Sequence, residues 1–117
     1  MSEHYGLEVR EPGAGEIRLL VSGEVDLEAA PLLLDSILCA GLAHDPGHRV
    51  VVDLQSVTFI DSSGLSALVE ANNRLAGQEQ VLVLGNLSDR VRRILSVTGL
   101  DQVITVEASP VEQPRAS

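Results

Sequence analysis

The sequence is poor in aromatic residues, which make up 2% of its 117 residues and include one tyrosine, one phenylalanine and no tryptophan. Because 44% of the residues are nevertheless hydrophobic, the core must be aliphatic. The longest apolar runs, such as 31–34 and 50–52, fall far short of the roughly 20 residues that a membrane-spanning helix needs. Residues 1–10 lack the basic and apolar regions of a signal peptide. We therefore expect a soluble, cytoplasmic protein without direct membrane insertion.

Basic residues are also scarce. Eight Lys and Arg residues stand against 17 Asp and Glu residues, which gives a formal net charge of −9. Affinity for nucleic acids depends largely on Lys and Arg side chains that neutralise phosphates. The composition therefore excludes DNA and RNA as expected partners, and it disfavours anionic lipid in the same way.

Several motifs of catalysis and cofactor binding are missing. The ten glycines form neither G-x-G-x-x-G nor a Walker lysine motif, and the nucleophile elbow G-x-S-x-G is absent. His44 and His48 flank a Pro-Gly pair without a third ligand, which favours a solvated loop over a metal site. The single cysteine, Cys39, excludes an internal disulfide, and its apolar neighbours predict a packed thiol. We expect no enzyme, no cofactor and no metal.

Hydrophobic periodicity predicts the order β-β-α-β-α-β-α-β. The elements are expected near residues 7–9, 17–21, 28–41, 50–54, 65–76, 81–84, 88–98 and 103–106. This order indicates one α/β domain, a mixed sheet of about five strands with helices packed on it. Gly23 is expected to end the second strand, Ser88 or Asn86 to cap the third helix, and Gly99 to end that helix. Residues 5–106 are assigned to the domain and the polar residues 107–117 to a flexible tail.

The stretch 61–64, D-S-S-G, lies between a buried strand and a helix, at the sheet edge where sites of open α/β proteins gather. Asp61 or Ser62 can cap the helix by accepting hydrogen bonds from its first amides. The same amides carry about half a positive charge, so the fold would tolerate a phosphate on Ser62. Such a phosphate adds about −1.5 to −2 charge and would act on binding rather than on folding. Both interpretations stay open on the residues alone.

A second polar turn, G-E-V-D at 23–26, precedes the first helix. Its Asp26 is favoured as the N-cap of that helix. If the neighbouring strands are parallel, this turn lies at the same sheet edge as residues 61–64, because the carboxyl ends of parallel strands meet there. The two acidic turns would then form one surface.

Four features together resemble the STAS domains of bacterial anti-sigma factor antagonists. They are the segments SGEVDLEAAP (22–31), VVVDLQSVTFIDSSGLSAL (50–68) and LSDRVRRILSVTGL (87–100), and their order over roughly residues 5–106. The run D-L-x-x-V-x-F-I-D-S-S-G-L is the strongest signature of that family. The resemblance therefore covers nearly the whole chain.

The resemblance implies a phosphorylation switch, in which Ser62 matches the serine that an anti-sigma factor phosphorylates as a serine kinase. The unphosphorylated form binds this anti-sigma factor and so releases a sigma factor. Phosphorylation blocks binding, and a metal-dependent serine phosphatase restores it. The remaining positions that match the family's partner surface and the helix start next to it are Gly23, Glu24, Asp26, Asp61, Ser63 and Gly64.

One departure from the family pattern is Ser66, where many members have glycine. It enlarges the hydroxyl cluster one helical turn beyond Ser62 and is expected to alter the choice of partner. STAS domains also serve as scaffolds in stress signalling and as accessory subunits of transporters, so this alternative function stays open. The oligomeric state is open as well, although a monomer is compatible with a protein that meets its partner in a heterocomplex.

Overall fold

The chain follows the predicted order of elements in the computed structural model, which describes residues 5–13, 15–44 and 47–107. The elements are β1 (Gly6–Gly13), β2 (Glu16–Val25), α1 (Ala30–Leu42), β3 (Arg49–Ile60), α2 (Ser62–Ala76), β4 (Val81–Gly85), α3 (Asp89–Thr98), a 3-10 turn (Leu100–Gln102) and β5 (Thr105–Val106). Within the described ranges, no helix has the length and apolar character needed to cross a membrane.

The strands form a mixed sheet in the order β1-β2-β3-β4-β5. β1 pairs with β2 in the antiparallel sense, and every later pair is parallel because a helix carries the chain back between its strands. The predicted α/β class and five-stranded mixed sheet are therefore confirmed. Parallel pairing also places the ends of β2 and β3 side by side, with Val25 opposite Ile60.

One face of the sheet and all three helices share an aliphatic core. Alternate residues of β2, β3 and β4 point into it, because successive side chains of a strand lie on opposite faces. Its largest fully buried side chains include Ile17, Leu19, Leu33, Ile37, Leu54, Leu68, Leu75, Leu82, Leu84, Leu95 and Ile104. Among the described residues, none of the buried core side chains is aromatic, and Tyr5 packs half-buried against them.

The opposite face of the sheet has a charged cluster around Arg18. Its guanidinium lies 3.3 Å from a carboxylate oxygen of Asp53, 3.2 Å from Glu107 and 3.3 Å from Glu16. Burial by itself lowers the pKa of Arg18, but the hydrogen bond and charge of Glu107, followed by Glu16 and Asp53, raise it above its ordinary value. Glu107, which the sequence assigns to the tail, thus contacts the sheet; residues 108–117 lie outside the described part.

Local signals for the ends of elements are mostly confirmed. The Ser88 hydroxyl caps α3 by accepting a hydrogen bond from the Val91 amide, and Gly99 ends that helix in the left-handed conformation, with φ 79°. The prediction that Gly23 ends β2 is wrong. The strand continues to Val25, and Gly23, with φ 85°, lies at a register shift in the pairing with β3.

The prediction of a packed Cys39 thiol is also wrong, because Cys39 is exposed on α1. The buried positions of this helix are Ala30, Leu33, Ile37 and Gly41. Successive residues of a helix are related by a rotation of about 100°, so Cys39, two residues after the core residue Ile37, lies on nearly the opposite side of α1. Ile37 therefore lies on the buried face of the helix and Cys39 on the other, where its apolar neighbour Leu42 is also 63% exposed.

Candidate functional site

Asp61 forms the start of α2. Its backbone is extended, and its Oδ1 accepts hydrogen bonds from the amides of Ser63 at 2.9 Å and Gly64 at 3.2 Å. These are two of the amides that a helix start leaves without an intrahelical partner. Asp61 is therefore the N-cap, one of the two residues predicted for that role, and Ser62 is the first residue of the helix.

Gly64 lets the first turn of α2 approach the end of β2. A Cβ atom at this position would lie 2.7 Å from Cγ1 of Ile60 and 2.9 Å from both Cγ1 and the carbonyl oxygen of Val25. Distances this short leave no room for a side chain, so glycine is required by space and not by a left-handed backbone. The glycine of D-S-S-G thus holds the helix start against the neighbouring strand.

The three hydroxyls of this region differ in exposure. Ser62 and Ser66 are exposed, whereas Ser63 is half-buried. Ser62 and Ser66 are four residues apart on α2, so their side chains share one face of the helix. Two of the first-turn amides, those of Ser63 and Gly64, already donate hydrogen bonds to Asp61. A group attached to Ser62 therefore lies near the positive end of the helix dipole and projects towards solvent.

Residues 23–26, which close β2 and lead into the turn before α1, lie directly beside this helix start, as predicted for parallel strands. The Asp61 amide donates to the carbonyl oxygen of Val25 at 3.3 Å, and the Thr58 hydroxyl donates to the carbonyl oxygen of Gly23 at 3.3 Å. Val25 is also paired with Ile60 in the sheet. These hydrogen bonds and the strand pairing therefore hold the two acidic segments side by side, so that they form one surface.

Asp26 makes hydrogen bonds of the capping type, and the Ala30 amide donates to its carbonyl oxygen at 2.8 Å, but it lies three residues before the N-cap position of α1, so the prediction is wrong in position only. The N-cap is Ala29, which makes no side-chain hydrogen bond to the helix. The Asp26 carboxylate instead accepts hydrogen bonds from the amides of Glu28 at 3.1 Å and Ala29 at 3.0 Å. A turn separates β2 from α1, and Asp26 stabilises this turn before the helix begins. Glu24 is exposed beside it.

Two apolar residues of this edge were missed from the sequence. Leu27 is 75% exposed in the turn before α1, and Phe59 is 42% exposed near the end of β3. Phe59 pairs with Glu24 across the two strands. The sequence does contain a signal for the exposure of Leu27: it is an apolar residue in an acidic turn and belongs to no periodic apolar face.

A groove of about 440 Å³ runs along α2 and includes Ser62 in its lining. Its apolar walls come from Leu65 and Val69 of α2 and from Leu100 of the 3-10 turn. The described residues contain no group of three or more His, Cys, Asp or Glu side chains that could hold a metal ion. The arrangement offers an exposed hydroxyl and a surface for another molecule.

Comparisons with known proteins agree with this architecture. The family described as "Mlab, STAS domain" matches residues 9–106. An anti-sigma-B factor antagonist of Listeria monocytogenes is 32% identical over 104 residues, which cover 89% of this chain and 90% of that protein. The chain therefore belongs to the STAS-domain family, and within it resembles the anti-sigma factor antagonists.

Two solved structures show the same fold. The crystal structure of an anti-sigma factor antagonist from Mycobacterium paratuberculosis is 26% identical, with a TM-score of 0.76, and the match covers 96% of this chain and 92% of that one. SpoIIAA of Bacillus in its phosphorylated form is 19% identical, with a TM-score of 0.65, and the match covers 92% of this chain and 95% of that one. The second likeness is one of fold alone.

Proposed function

We propose that this protein is an anti-sigma factor antagonist that is switched by phosphorylation of Ser62. Its unphosphorylated form binds an anti-sigma factor that is also a serine kinase, and this binding releases a sigma factor. One observation supports the proposal most strongly: Ser62 is the exposed first residue of α2, at the sheet edge shared with the turn 23–26. The protein acts as a cytoplasmic binding partner and catalyses nothing itself.

The switch requires one phosphoryl transfer in each direction. The Ser62 oxygen attacks the γ-phosphorus of ATP, the bond to the ADP oxygen breaks, and the hydroxyl proton leaves to a base on the kinase. A metal-dependent serine phosphatase later transfers the phosphoryl group to water, which restores the hydroxyl and yields inorganic phosphate. Both catalytic centres belong to the partners.

The exposure and surroundings of the three serines favour Ser62 as the acceptor. Ser63 is half-buried against the fold. Ser66 is exposed, but Glu70 follows it by four residues, and like charges at that spacing repel each other on a helix. A phosphate on Ser62 has no acidic residue at that spacing and lies at the positive end of the helix dipole.

The added charge would act at the partner interface. It joins the carboxylates of Asp61, Glu24 and Asp26 at the sheet edge of a protein that already has a net charge of −9. Removing a charge from water without a partner costs several kcal/mol, and each 1.4 kcal/mol weakens binding about tenfold. Phosphorylation is therefore expected to break a complex that buries Ser62.

The test is phosphorylation of the purified protein by a histidine-kinase-like ATPase encoded beside its gene, with ATP and intact-mass spectrometry. We expect one phosphoryl group on the wild type and on the matched control Ser63→Ala, and none on Ser62→Ala. Ser62→Ala should still bind the kinase, whereas Ser62→Asp should bind at least about tenfold more weakly, a difference of 1.4 kcal/mol. Phosphate on Ser62→Ala, or unchanged affinity of Ser62→Asp, would show that the proposal is wrong.

A further inference from the structure

The helix α1 is apolar on the side that it turns to solvent as well as on the side that it buries. Its 13 residues include one charged side chain, Asp35, and one hydroxyl, that of Ser36. Leu32 and Leu42 nevertheless lie outside the core, 57% and 63% exposed. A helix that is apolar all round is normally covered on every side, so the outer face of α1 is suited to contact with another apolar surface.

The exposed residues of α1 have the spacing of a coiled-coil seam. Leu32, Asp35, Cys39 and Leu42 are all exposed and follow one another at intervals of three, four and three residues. These are the intervals between the a and d positions of a heptad, which form one stripe along a helix. We call these four residues the α1 seam.

The α1 seam is complementary to itself when two copies pair in the antiparallel sense. With Ile37 at the two-fold axis, Leu32 of each copy faces Leu42 of the other. In the same register Asp35 faces Cys39, so neither carboxylate meets its own copy. A two-fold interface requires a surface patch that matches itself in this way, and a shift by one heptad would leave half of the seam without a counterpart.

The scarcity of charge on α1 favours a second copy of this chain as the occupant. Copies with a net charge of −9 repel each other over most of their surface, whereas the α1 seam carries the single charge of Asp35. Antiparallel pairing also places the start of each helix beside the end of the other, the favourable arrangement of helix dipoles. The seam contains no aromatic or basic residue of the kind that anchors an unrelated partner.

We infer that α1 binds α1 of a second copy in antiparallel orientation, so that the protein forms a symmetric dimer. The inference does not depend on the proposed function, because Ser62 begins a different helix and is not part of the seam. A helix of 13 residues is about 20 Å long, and a contact of this size buries less than the roughly 1,200 Å² of a stable complex. We therefore expect a weak dimer with a dissociation constant on the order of 10–100 μM.

The test is sedimentation equilibrium of the full chain across that concentration range, where the average mass should rise from one chain towards two. Leu32→Glu and Leu42→Glu each place a charge against a leucine of the second copy and should weaken dimerisation at least about tenfold, or 1.4 kcal/mol. The matched control is Val97→Glu, which changes an apolar residue of α3 that is 80% exposed and should dimerise like the wild type. A wild-type monomer at every concentration, or an equal effect of Val97→Glu, would overturn the inference.

Paired substitutions test the antiparallel register. A chain with both Leu32→Glu and Leu42→Lys places opposite charges at each facing pair, whereas a chain with Leu32→Glu and Leu42→Glu places like charges there. The first chain should dimerise at least about tenfold more tightly than the second. Parallel helices would bring like charges together in both chains, so an equal loss in both would show that the assigned register is wrong.

Cys39, the single cysteine of the chain, reports on the same contact without mutagenesis. In the antiparallel register the two Cys39 residues lie about 6 Å apart along the helix axes, because each is two residues from the two-fold axis. A short bis-maleimide should link wild-type chains and should link Leu42→Glu at least about tenfold more slowly. A single-armed maleimide should label both chains equally, since both expose the thiol, and equal rates of linking would contradict the proposed dimer.

Discussion

The chain segments that follow β2 and β3 are neighbours and both contain acidic residues, but they lead into their helices in different ways. After β3 the helix begins at once, because Asp61 caps it and Gly64 packs against Val25. After β2 the chain makes a turn before α1, whose N-cap Ala29 makes no side-chain hydrogen bond to the helix. The first arrangement is held by the cap and by the close packing of Gly64, and the second by hydrogen bonds to Asp26 and by the burial of Ala29, which is 2% exposed.

One edge of a sheet can therefore combine two tasks. The β3 turn holds the Ser62 hydroxyl at a defined position, because the helix start cannot move without losing its cap or its contact with Val25. The turn after β2 exposes the apolar side chain of Leu27, which is 75% accessible to solvent. A phosphorylation site needs the first property, and a surface that meets a partner can use the second.

The largest expected effect comes from breaking the close packing of the β3 turn. Gly64→Ala would force a Cβ atom to within 2.7 Å of Ile60 and 2.9 Å of Val25, so we expect a loss of about 1–3 kcal/mol in the free energy of unfolding. Urea denaturation followed by circular dichroism measures this loss. The control is Gly77→Ala, where the nearest atom would lie at 3.4 Å and the stability should stay within about 0.5 kcal/mol of the wild type. Equal stability of the two variants would contradict the packing argument.

The next effect tests the cap of α2. Asp61→Ala removes the acceptor for two amides and should cost about 1 kcal/mol, with a range of 0.5–2 kcal/mol. Asp61→Asn keeps an oxygen at this position and should retain most of the stability. The same urea titration applies, and a loss as large in Asp61→Asn as in Asp61→Ala would show that charge, not capping, dominates.

A smaller effect is expected from the β2 turn. Asp26→Ala removes hydrogen bonds to the amides of Glu28 and Ala29, which lie in the turn before the assigned start of α1 and not within the helix itself. We expect a loss of about 0.5 kcal/mol, the lower end of the range for a hydrogen bond. If Asp26→Ala proves less stable than Asp61→Ala, the assigned difference between the two turns is wrong.

The smallest effect on stability is expected at Ser62 itself. Because its side chain is exposed, Ser62→Ala and Ser62→Asp should each change the free energy of unfolding by less than about 0.5 kcal/mol. Thermal unfolding of both variants measures this. A destabilisation as large as that of Asp61→Ala would mean that Ser62 has a structural role, and that changes in partner affinity reflect loss of fold.

Much of the fold could be predicted because its signals are local. The β-branched run 50–54 indicated a buried strand, and Ser88 and Gly99 marked the two ends of α3 by capping and by a left-handed backbone. The prediction that Gly23 ends β2 was wrong because a glycine with positive φ can occupy a bulge within a strand as well as a strand end. The prediction of a packed Cys39 was wrong because neighbours in the sequence are not neighbours on a helix face.

The order of elements, the capped helix start at residues 61–64 and the resemblance to a known family could all be predicted from the amino-acid sequence, since periodicity, capping and motifs act over a few residues. The packing of Gly64 against Val25, the exposure of Ser62 beside a half-buried Ser63, and the groove between Ser62 and Leu100 became visible only in the folded chain. These features depend on segments that are distant in the chain and adjacent in the fold. Exposure and shape arise from such contacts, and no local pattern encodes them.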